Sequence, residues 1–284
     1  MSDGPRSGVS WTIKGGAVLG PAPFLVMGIL NVTPDSFSDG GLYAQTGSAV
    51  GHGLDLLAQG ADIVDIGGQS TRPFSQPVSV DEELARVMPV LEGITQAKPD
   101  TVISLDTDKS QVASQGLAKG AVIVNDVSAC SVDPGLLDVL AQFKPGYVLM
   151  HSQGNPQTMQ IKPSYSDVVE DIQAFFEAHM KRLVLAGLPE DRVALDPGIG
   201  FGKTPEHNLA ILRNLERFLA LGRPLLIGLS RKSFLGDLLG LKTKDRELTT
   251  QVASALAWMR GAAIHRVHQA GDTVRTLKLA QALC

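Results

Sequence analysis

Polar and charged side chains recur along this chain at points where short apolar runs end. A helix N-cap explains a single Asp or Asn at such a point. Caps do not require the lysine, arginine and histidine that follow the last two runs. The whole set therefore predicts a ring of polar groups around the mouth of a single site. The residues at the eight points are Asn31; Gln69, Ser70, Thr71 and Arg72; Asp106; Asn125 and Asp126; His151; Asp196; Ser230, Arg231 and Lys232; and Arg266 and His268.

The expected ring is divided by charge. The third, fourth and sixth runs end in the carboxylates and amide of Asp106, Asn125 and Asp196, whereas cations such as Lys232 and Arg266 follow the last two. An ionised carboxylate accepts hydrogen bonds from adjacent N–H groups, which suits a nitrogen-rich heterocycle. The loops after strands seven and eight often bind phosphate in barrel enzymes. The residues alone therefore predict an enzyme that joins a phosphorylated heterocycle to a second reactant.

Eight β-branched or apolar runs must position these side chains, and longer segments with helical spacing lie between them. The predicted strands are residues 24–30, 63–66, 102–105, 122–124, 147–150, 193–195, 225–228 and 264–267. The helical stretches include residues 48–59, 81–96, 111–118, 166–185, 206–220 and 247–260. The alternation predicts an α/β protein built from βα units, and eight parallel strands favour closure into a single (β/α)₈ TIM barrel.

The N-terminal segment, residues 1–23, is predicted to contain a short β-hairpin. Residues 11–14 and 17–19 flank Gly15 and Gly16, which would form the turn. This hairpin could cap the base of the barrel. The sequence from 24 to 284 shows no convincing linker, so we expect it to form one barrel domain.

The composition excludes several classes of protein. A net charge of −4 argues against binding of nucleic acid, which needs a basic surface. We expect no membrane segment and no secretory leader, because no long apolar run occurs and residues 1–10 lack a leader's pattern. The two cysteines, Cys130 and Cys284, are too few for a disulfide framework. These features together predict a cytoplasmic protein.

Several segments resemble the dihydropteroate synthase family of pterin-binding TIM barrels. Two long ones, residues 27–41 (MGILNVTPDSFSDGG) and 60–73 (GADIVDIGGQSTRP), are similar to the two signatures of that family. Shorter matches are residues 106–107, 125–128, 149–151, 196–203, 228–233 and 266–268. The resemblance implies a transferase of folate biosynthesis that condenses 6-hydroxymethyl-7,8-dihydropterin pyrophosphate with para-aminobenzoate. It also implies a sulfonamide target and a homodimer, although the sequence does not identify the dimer surface.

The resemblance further implies a role for each matching residue. The pterin ring would be held by Asp106, Asn125, Asp196 and Lys232. The pyrophosphate would be held by Arg266, Val267 and His268, with Asn31 as a ligand of Mg²⁺. The para-aminobenzoate would lie near Phe37, Thr71, Arg72, Pro73 and Ser233.

The implied mechanism needs no protein nucleophile. Pyrophosphate leaves the pterin methylene carbon, and the aniline nitrogen attacks the resulting cation. We assign catalytic roles to Lys232, Arg72 and Asp39. Asp39 would add to the metal environment, or it forms the turn before two glycines. Closure of the loops at residues 32–41 and 69–76 would exclude water from the site.

Two alternatives and two departures from the family pattern stay open at this point. A folate-dependent methyltransferase-type barrel shares acidic and amide contacts to a pterin, and a non-catalytic pterin-binding barrel would bind without turnover. Gln69 replaces a usual Glu, and Phe74 replaces a small residue. Residues 198–203 lack the full spacing of a phosphate-binding P-loop and are predicted to form an ordinary barrel loop.

Overall fold

The computed structural model describes residues 8–33, 42–70, 75–154, 159 and 163–284, and for residues 42–44 it describes the backbone alone. The chain begins with the predicted hairpin. Strand β1 (Val9–Thr12) pairs antiparallel with β2 (Val18–Ala22). The connection is a 3₁₀ turn at Lys14–Gly16, in which Gly15 and Gly16 have φ values of 79° and 83°. The left-handed backbone of this turn explains the glycine pair.

Eight parallel strands form a closed barrel, which confirms the predicted fold. They are β3 (Leu25–Asn31), β4 (Ile63–Gly67), β5 (Ile103–Asp106), β6 (Ile123–Asp126), β7 (Gly146–Met150), β8 (Val193–Asp196), β9 (Leu225–Ile227) and β10 (Ala262–Val267). Each strand pairs with the next in sequence, and β10 pairs with β3 to close the barrel. Parallel neighbours bring all eight carboxyl ends to one face.

Helices connect the strands around the outside. The described helices are α1 (Leu42–Ala58), α2 (Val80–Ala97), α3 (Ser110–Ala118), α4 (Leu136–Phe143), α5 (Val168–Ala186), α6 (Pro205–Arg213), α7 (Ser233–Leu239), α8 (Glu247–Met259) and α9 (Ala270–Leu283). Within the described part of the chain, no helix combines the length and the apolarity needed to cross a membrane.

The predicted strands end too early at several places. Pairing continues one residue further through Asn31, Gly67, Asp106 and Asp196, which are the last residues of β3, β4, β5 and β8. Three of these residues, Asn31, Asp106 and Asp196, are predicted to follow the strands directly. In the barrel they share the backbone hydrogen bonds of the sheet, so rigid strand ends position their side chains.

The helical stretch predicted over residues 206–220 consists of two helices. Helix α6 ends at Arg213, and a 3₁₀ helix follows at Leu215–Leu221. Between them Asn214 has φ −123° and ψ 24°, and its Nδ2 donates to the carbonyl of Ala210 at 2.8 Å. An asparagine side chain that bonds locally to the backbone competes with helical hydrogen bonding, which explains the break.

Two apolar layers hold the fold together. The outer layer packs the helices against the barrel and contains most of the buried hydrophobic residues. The inner layer fills the lower barrel and includes Met27, Ile63 and Ile264 together with Trp11 and Ile13 of the hairpin segment. Trp11 is fully buried, and its Nε1 donates to the carbonyl of Arg192 at 2.7 Å, just before β8. The hairpin therefore closes the barrel at the amino ends of its strands.

We predict that Trp11→Ala lowers the free energy of unfolding by about 3–5 kcal/mol, because it removes a large buried side chain from a closed cavity. Chemical denaturation measures this loss. The matched control is Val18→Ala, since Val18 lies on the same hairpin but is 53% exposed. Its substitution should cost less than about 0.5 kcal/mol. Equal losses in the two variants would contradict a sealing role for Trp11.

Candidate functional site

A tier of polar side chains crosses the carboxyl ends of four adjacent strands. Asn31 lies in register with Gly67, Gly67 with Asp106, and Asp106 with Asn125. Side chains two residues apart on a strand share a face. Asn31 and Asn125 therefore point into the barrel, as do Met27 and Ile123 below them in the inner layer.

Gly67 opens a space in this tier. A Cβ atom at Gly67 would lie 3.5 Å from Asp106 Oδ2 and 3.7 Å from Asn31 Oδ1. The carboxylate of Asp106 and the amide oxygen of Asn31 therefore flank the same gap. Two oxygen acceptors on either side of an open position can face a cation or N–H donors.

The cation of Arg266 lies between two carboxylates inside the barrel. Its Nε donates to Asp65 Oδ2 at 2.7 Å, and its Nη2 donates to Asp106 Oδ2 at 2.6 Å. Asp65 is fully buried, and Asp65 Oδ2 also accepts a hydrogen bond from Asn125 Nδ2 at 3.0 Å. A buried charge is tolerated when it is paired and hydrogen-bonded, and this network meets that condition for Arg266.

Burial changes the acidity of the carboxyl groups in this network. Loss of solvent raises the pKa of Asp106 to about 7; Arg266 opposes the rise, and Asp65 and Glu83 add to it. Burial also raises the pKa of Asp196, while the Gly198 N–H and the nearby lysines lower it. Perturbed carboxyl groups that face one cavity are typical of functional sites.

Lys232 provides a second cation after β9, the strand that pairs with β10. Burial lowers its pKa to about 8, and the charge of Asp196 partly offsets the effect. Its ammonium lies 4.0 Å from the ring centroid of Phe201. Gly200 has φ 82°, and a Cβ atom there would lie 3.2 Å from Lys232 Cδ. The glycine therefore allows the lysine stem to pass close to the backbone of the β8–α6 loop.

A left-handed residue orients Lys232. Arg231 has φ 57°, which is uncommon for a residue with a side chain. Its N–H donates to Thr250 Oγ1 at 3.2 Å, and its carbonyl accepts from Arg246 Nη1 at 3.1 Å. Thr250 is fully buried. Helix α8 and the residue before it thus stabilise the backbone conformation that precedes the buried lysine.

His268 stands beside these cations with a defined ring orientation. Ser230 Oγ and His268 Nδ1 lie 2.8 Å apart, within hydrogen-bonding distance. The hydroxyl also lies 3.4 Å from the His268 backbone nitrogen, which donates to it. The contact through Nδ1 fixes the orientation of the imidazole ring.

Two residues of the predicted ring do not belong to it. Asp126 follows Asn125 on the strand and therefore faces the helices, where Tyr147 Oη donates to it at 2.9 Å and the Cys130 N–H at 2.6 Å. His151 also faces outwards, and its ring packs edge-on at 4.8 Å against Phe175 of α5. The error arises because neighbouring residues on a strand point to opposite faces.

Lys203 supports the β8–α6 loop from behind. Its buried ammonium lies 3.0 Å from His151 Nδ1 and donates to the carbonyls of His151 and Phe201 at 3.2 and 3.0 Å. Burial lowers the pKa of Lys203 to about 7, while Asp196 raises it. These contacts tie the end of β7 to the loop that carries Phe201. They agree with an ordinary barrel loop at residues 198–203.

Gln69 has an evident packing role at the beginning of the second loop. Its Oε1 accepts from Lys109 Nζ at 2.7 Å and from the Val78 N–H at 3.1 Å. Lys109 also contacts the fully buried carboxylate of Glu83 at 2.5 Å. A neutral amide at position 69 accepts the shared lysine without placing a second carboxylate beside Glu83.

The structure thus brings together six predicted site residues at one end of the barrel: Asn31, Asp106, Asn125, Asp196, Lys232 and Arg266. Ser233 begins α7, while Val267 has a buried side chain and offers only its backbone to the mouth. The predicted residues that lie outside the described part of the chain are Phe37, Asp39, Thr71, Arg72, Pro73 and Phe74.

Sequence reasoning gave no site role to Asp65 or Phe201. A carboxylate inside the apolar run Ile63–Gly67, two residues before its end, was a usable signal for Asp65.

Comparisons with known proteins decide among the families that could carry such a site. Residues 27–268 match the model of the "Pterin binding enzyme" family. The dihydropteroate synthase of Escherichia coli K12 is 44% identical over 257 residues, which cover 90% of each chain. The chain belongs to the dihydropteroate synthase family. The corresponding enzyme of Neisseria meningitidis serogroup B is 46% identical and is covered over 92% of its length.

Solved structures of this family share the same fold. A Yersinia pestis dihydropteroate synthase in complex with a sulfonamide drug superposes with a TM-score of 0.90 at 41% identity, covering 97% of this chain and 99% of that one. A Xanthomonas albilineans dihydropteroate synthase in complex with 7,8-dihydropteroate gives a TM-score of 0.86 at 39% identity, covering 95% and 98%. The structural likeness to this family therefore extends over 95–97% of the chain.

We predict that kcat/KM for the pterin substrate of this family falls as the pH drops through about 7. The raised pKa of Asp106 means that its carboxyl group takes up a proton in this range, and the neutral acid no longer accepts two N–H bonds. A pH profile of kcat/KM reports groups of the free enzyme and measures this limb directly.

Asp106→Asn should abolish the acid limb together with most of the activity. Asp133→Asn is the control, because Asp133 caps the backbone at Ser110 and its pKa is lowered rather than raised. That variant should keep the limb near pH 7. A limb near the ordinary Asp value of 3.8 in the unaltered chain would contradict the assignment.

Proposed function

We propose that this member of the family condenses 6-hydroxymethyl-7,8-dihydropterin pyrophosphate with para-aminobenzoate to give 7,8-dihydropteroate and pyrophosphate. The observation that carries the proposal is the division of the mouth into two ends. Carboxylates and an amide lie on β5, β6 and β8, whereas cations follow β9 and lie at the end of β10. The reaction is an alkyl transfer, in keeping with the transferase activity of the family.

The pterin ring would lie against Asp106, Asn125, Asp196 and Lys232. Its amino and ring N–H groups can donate to carboxylate oxygens, and its carbonyl can accept from a lysine ammonium. The aromatic face of Phe201 behind Lys232 restricts where that ammonium can move. The burial of both carboxylates strengthens each such hydrogen bond by lowering the local dielectric.

The pyrophosphate would lie against Arg266, His268 and the backbone at Val267. Two carboxylates hold the Arg266 guanidinium, and Ser230 holds the imidazole of His268. Fixed cations can stabilise negative charge as it develops on the leaving group, without reorganising during the reaction.

Asn31 would provide one oxygen ligand to a Mg²⁺ ion that is bound with the pyrophosphate. Magnesium prefers hard oxygen ligands and is commonly held by few protein groups together with substrate phosphates and water. The amide oxygen of Asn31 faces the gap beside Gly67, so the donor chemistry fits. When bound, the ion would supply positive charge to the departing pyrophosphate. Asp39 remains a proposed contributor from outside the described residues.

The para-aminobenzoate would enter beside Ser233. A cavity of about 210 Å³ opens there, lined by Ser233 and Phe234 of α7 and by Lys203, Thr204 and Asn208 on the β8–α6 side. Phe37, Thr71, Arg72 and Pro73 would complete this subsite from the two loops. Because a sulfonamide drug occupies the Yersinia pestis relative, we expect sulfonamides to compete with para-aminobenzoate here as well.

The reaction requires no covalent bond to the protein. The bond between the pterin methylene carbon and the pyrophosphate oxygen breaks, and its electron pair leaves with pyrophosphate. The cation that remains is delocalised into the pterin ring, next to the carboxylates of Asp106 and Asp196. The aniline nitrogen then attacks the methylene carbon and loses a proton, which the released pyrophosphate can take up. Lys232 and Arg72 would orient the two reactants, which supplies much of the rate by proximity.

The methyl-transfer alternative lacks a comparable basis. Its substrate has no pyrophosphate, so it gives no reason for the cation of Arg266 and for His268 at the end of β10. The relatives described above, at 44–46% identity, carry the synthase name.

We predict that Lys232→Ala lowers kcat/KM for dihydropteroate formation by about 100-fold or more, a loss typical of removing one charged donor from an active site. Lys232→Met should lose nearly as much, because it keeps the aliphatic stem but not the charge. The assay follows pyrophosphate release from the pterin substrate with and without para-aminobenzoate, and with magnesium replaced by EDTA.

Lys119→Ala is the matched control, since that lysine is 60% exposed at the other end of the barrel. It should leave turnover unchanged. Pterin binding without pyrophosphate release by the unaltered chain would contradict the proposed reaction and favour the non-catalytic alternative. Unchanged release in EDTA would refute only the magnesium proposal.

A homodimer would form through the outer face of α8. Leu248, Val252, Leu256 and Met259 lie at helical spacing on this face and are 77%, 53%, 55% and 46% exposed. Such an apolar stripe on a surface helix favours burial against another surface. A second copy of the chain is the occupant that the family resemblance implies.

We predict that Val252→Glu combined with Leu256→Glu converts a dimer to a monomer in sedimentation velocity experiments, because it buries two charges in an apolar contact. The control is Leu185→Glu, a comparably exposed leucine on α5. A dimer that survives the double substitution would place the interface elsewhere.

A cytoplasmic location agrees with the state of the cysteines. Cys130 is buried and free, and Cys284 is exposed and free. Burial and the nearby Asp126 raise the pKa of Cys130 to about 12, so its thiol stays protonated and unreactive. An exposed free cysteine is ordinary in a reducing compartment.

A further inference from the structure

Asp65 is a carboxylate placed inside the barrel below the polar tier. It lies on β4 between Ile63 and Gly67, on the face that points inwards. Its side chain is fully buried. Its register partners are Ile29 on β3 and Ser104 on β5. The tier of Asn31 and Asp106 lies two residues further along these strands. Asp65 therefore lies beneath the substrate groups and not among them.

One oxygen of Asp65 holds two residues that belong to different ends of the mouth. Oδ2 accepts from Arg266 Nε at 2.7 Å, on the phosphate side. The same atom accepts from Asn125 Nδ2 at 3.0 Å, on the pterin side. Asp65 Oδ1 is buried and has no hydrogen-bond partner among the described residues. The geometry thus concentrates both contacts on a single atom.

The chemistry of a carboxylate defines what its partners present to the mouth. An ionised carboxylate only accepts hydrogen bonds, so Asn125 must direct its NH₂ group towards Asp65. The carbonyl oxygen of Asn125 is then the group that can meet a ligand N–H. Arg266 likewise donates from Nε to Asp65 and from Nη2 to Asp106, which leaves Nη1 as a donor for an anion.

We propose that Asp65 is a positioning residue for the reaction, which sets the orientation of the Asn125 amide and of the Arg266 guanidinium together. The inference rests on the proposed function, in which Asn125 contacts the pterin and Arg266 contacts the pyrophosphate. Asp65 itself touches neither substrate. Its role is to keep the two subsites in one fixed relation, so that the methylene carbon between them meets the second reactant.

The first test uses Asp65→Asn, which keeps the shape of the side chain and removes its charge. Its amide can donate as well as accept, so Asn125 is free to turn over and Arg266 loses its charge-assisted contact. We expect kcat/KM for the pterin substrate to fall about 10- to 100-fold, the range found when a supporting residue behind a site is removed. KM for para-aminobenzoate should change less than about twofold, because its subsite lies on the far side of Lys232.

Binding measurements separate this role from a general loss of stability. Calorimetry with inorganic pyrophosphate alone, and with 6-hydroxymethyl-7,8-dihydropterin alone, should show that Asp65→Asn weakens both ligands. In an Arg266→Met background, Asp65→Asn should cause no further loss of pyrophosphate affinity, since the residue through which it acts is gone. An equal loss in both backgrounds would overturn the proposal.

Asp126→Asn is the matched control, because Asp126 is another fully buried carboxylate with side-chain and backbone donors, but it faces the helices. We expect it to lower the melting temperature without selective loss of pterin or pyrophosphate affinity. The same selective loss in Asp126→Asn and Asp65→Asn would assign the effect to stability and refute a positioning role.

Two further arms keep the experiment decisive. If Asp65→Asn does not fold, Asp65→Ser replaces it. This variant must also lose affinity for the pterin and for pyrophosphate while KM for para-aminobenzoate changes little. The binding arms do not require turnover. Absence of dihydropteroate formation in the unaltered chain would therefore refute the proposed reaction, whereas unchanged binding in the Asp65 variants would refute the positioning role.

Discussion

The charge of Arg266 inside the barrel is the constraint on which the site depends. Its side chain is only 20% exposed, and an unpaired guanidinium there would cost several kcal/mol. Asp65 and Asp106 compensate for it from two neighbouring strands, and their carboxylates raise its pKa although burial acts in the opposite direction. Removing one partner from such a group typically costs about 3–5 kcal/mol. The polar tier is therefore part of the fold as well as part of the site.

The barrel keeps this network separate from its apolar interior. Below Asp65 the inner layer is packed with residues such as Met27, Ile63 and Ile264, and the hairpin closes the lower end with Trp11. Above it the strand ends carry amides and carboxylates in register. A dry, close-packed base gives the upper tier a rigid support, and rigid supports hold catalytic groups within fractions of an ångström.

Much of this organisation could be predicted from the sequence because periodicity and position carry it. Eight apolar runs with polar residues at their ends were enough to predict a closed barrel, and the charges of Asp106 and Lys232 indicated a ligand with two ends. The prediction of a polar ring fails at Asp126 and His151, because each follows a residue that faces the mouth and so points to the opposite side of the strand. Asp65 faces the inside of the barrel, but it lies within an apolar strand and two residues before its end. A prediction based on strand ends therefore does not include it.

The features that could not be predicted depend on distances between parts of the chain that are far apart in sequence. The contact between Asp65 and Arg266 joins residues 201 positions apart, and no local pattern specifies it. The left-handed Arg231 is equally invisible, because it is stabilised by Thr250 and Arg246 on the following segment. Such contacts form only when the barrel closes, so they follow from topology rather than from propensity.

The pKa values of Asp106 and Lys232 are shifted in opposite directions by the same cause. Burial disfavours the charged form of both groups, which raises the pKa of the acid and lowers that of the base. In the proposed function, a pterin that brings N–H donors to Asp106 and a carbonyl to Lys232 would stabilise the charged forms again. In the proposed complex, the pyrophosphate would give the Arg266 guanidinium a further anionic partner in addition to Asp65 and Asp106. Under the proposed function, substrate binding would therefore also compensate the buried charges of Asp106, Lys232 and Arg266.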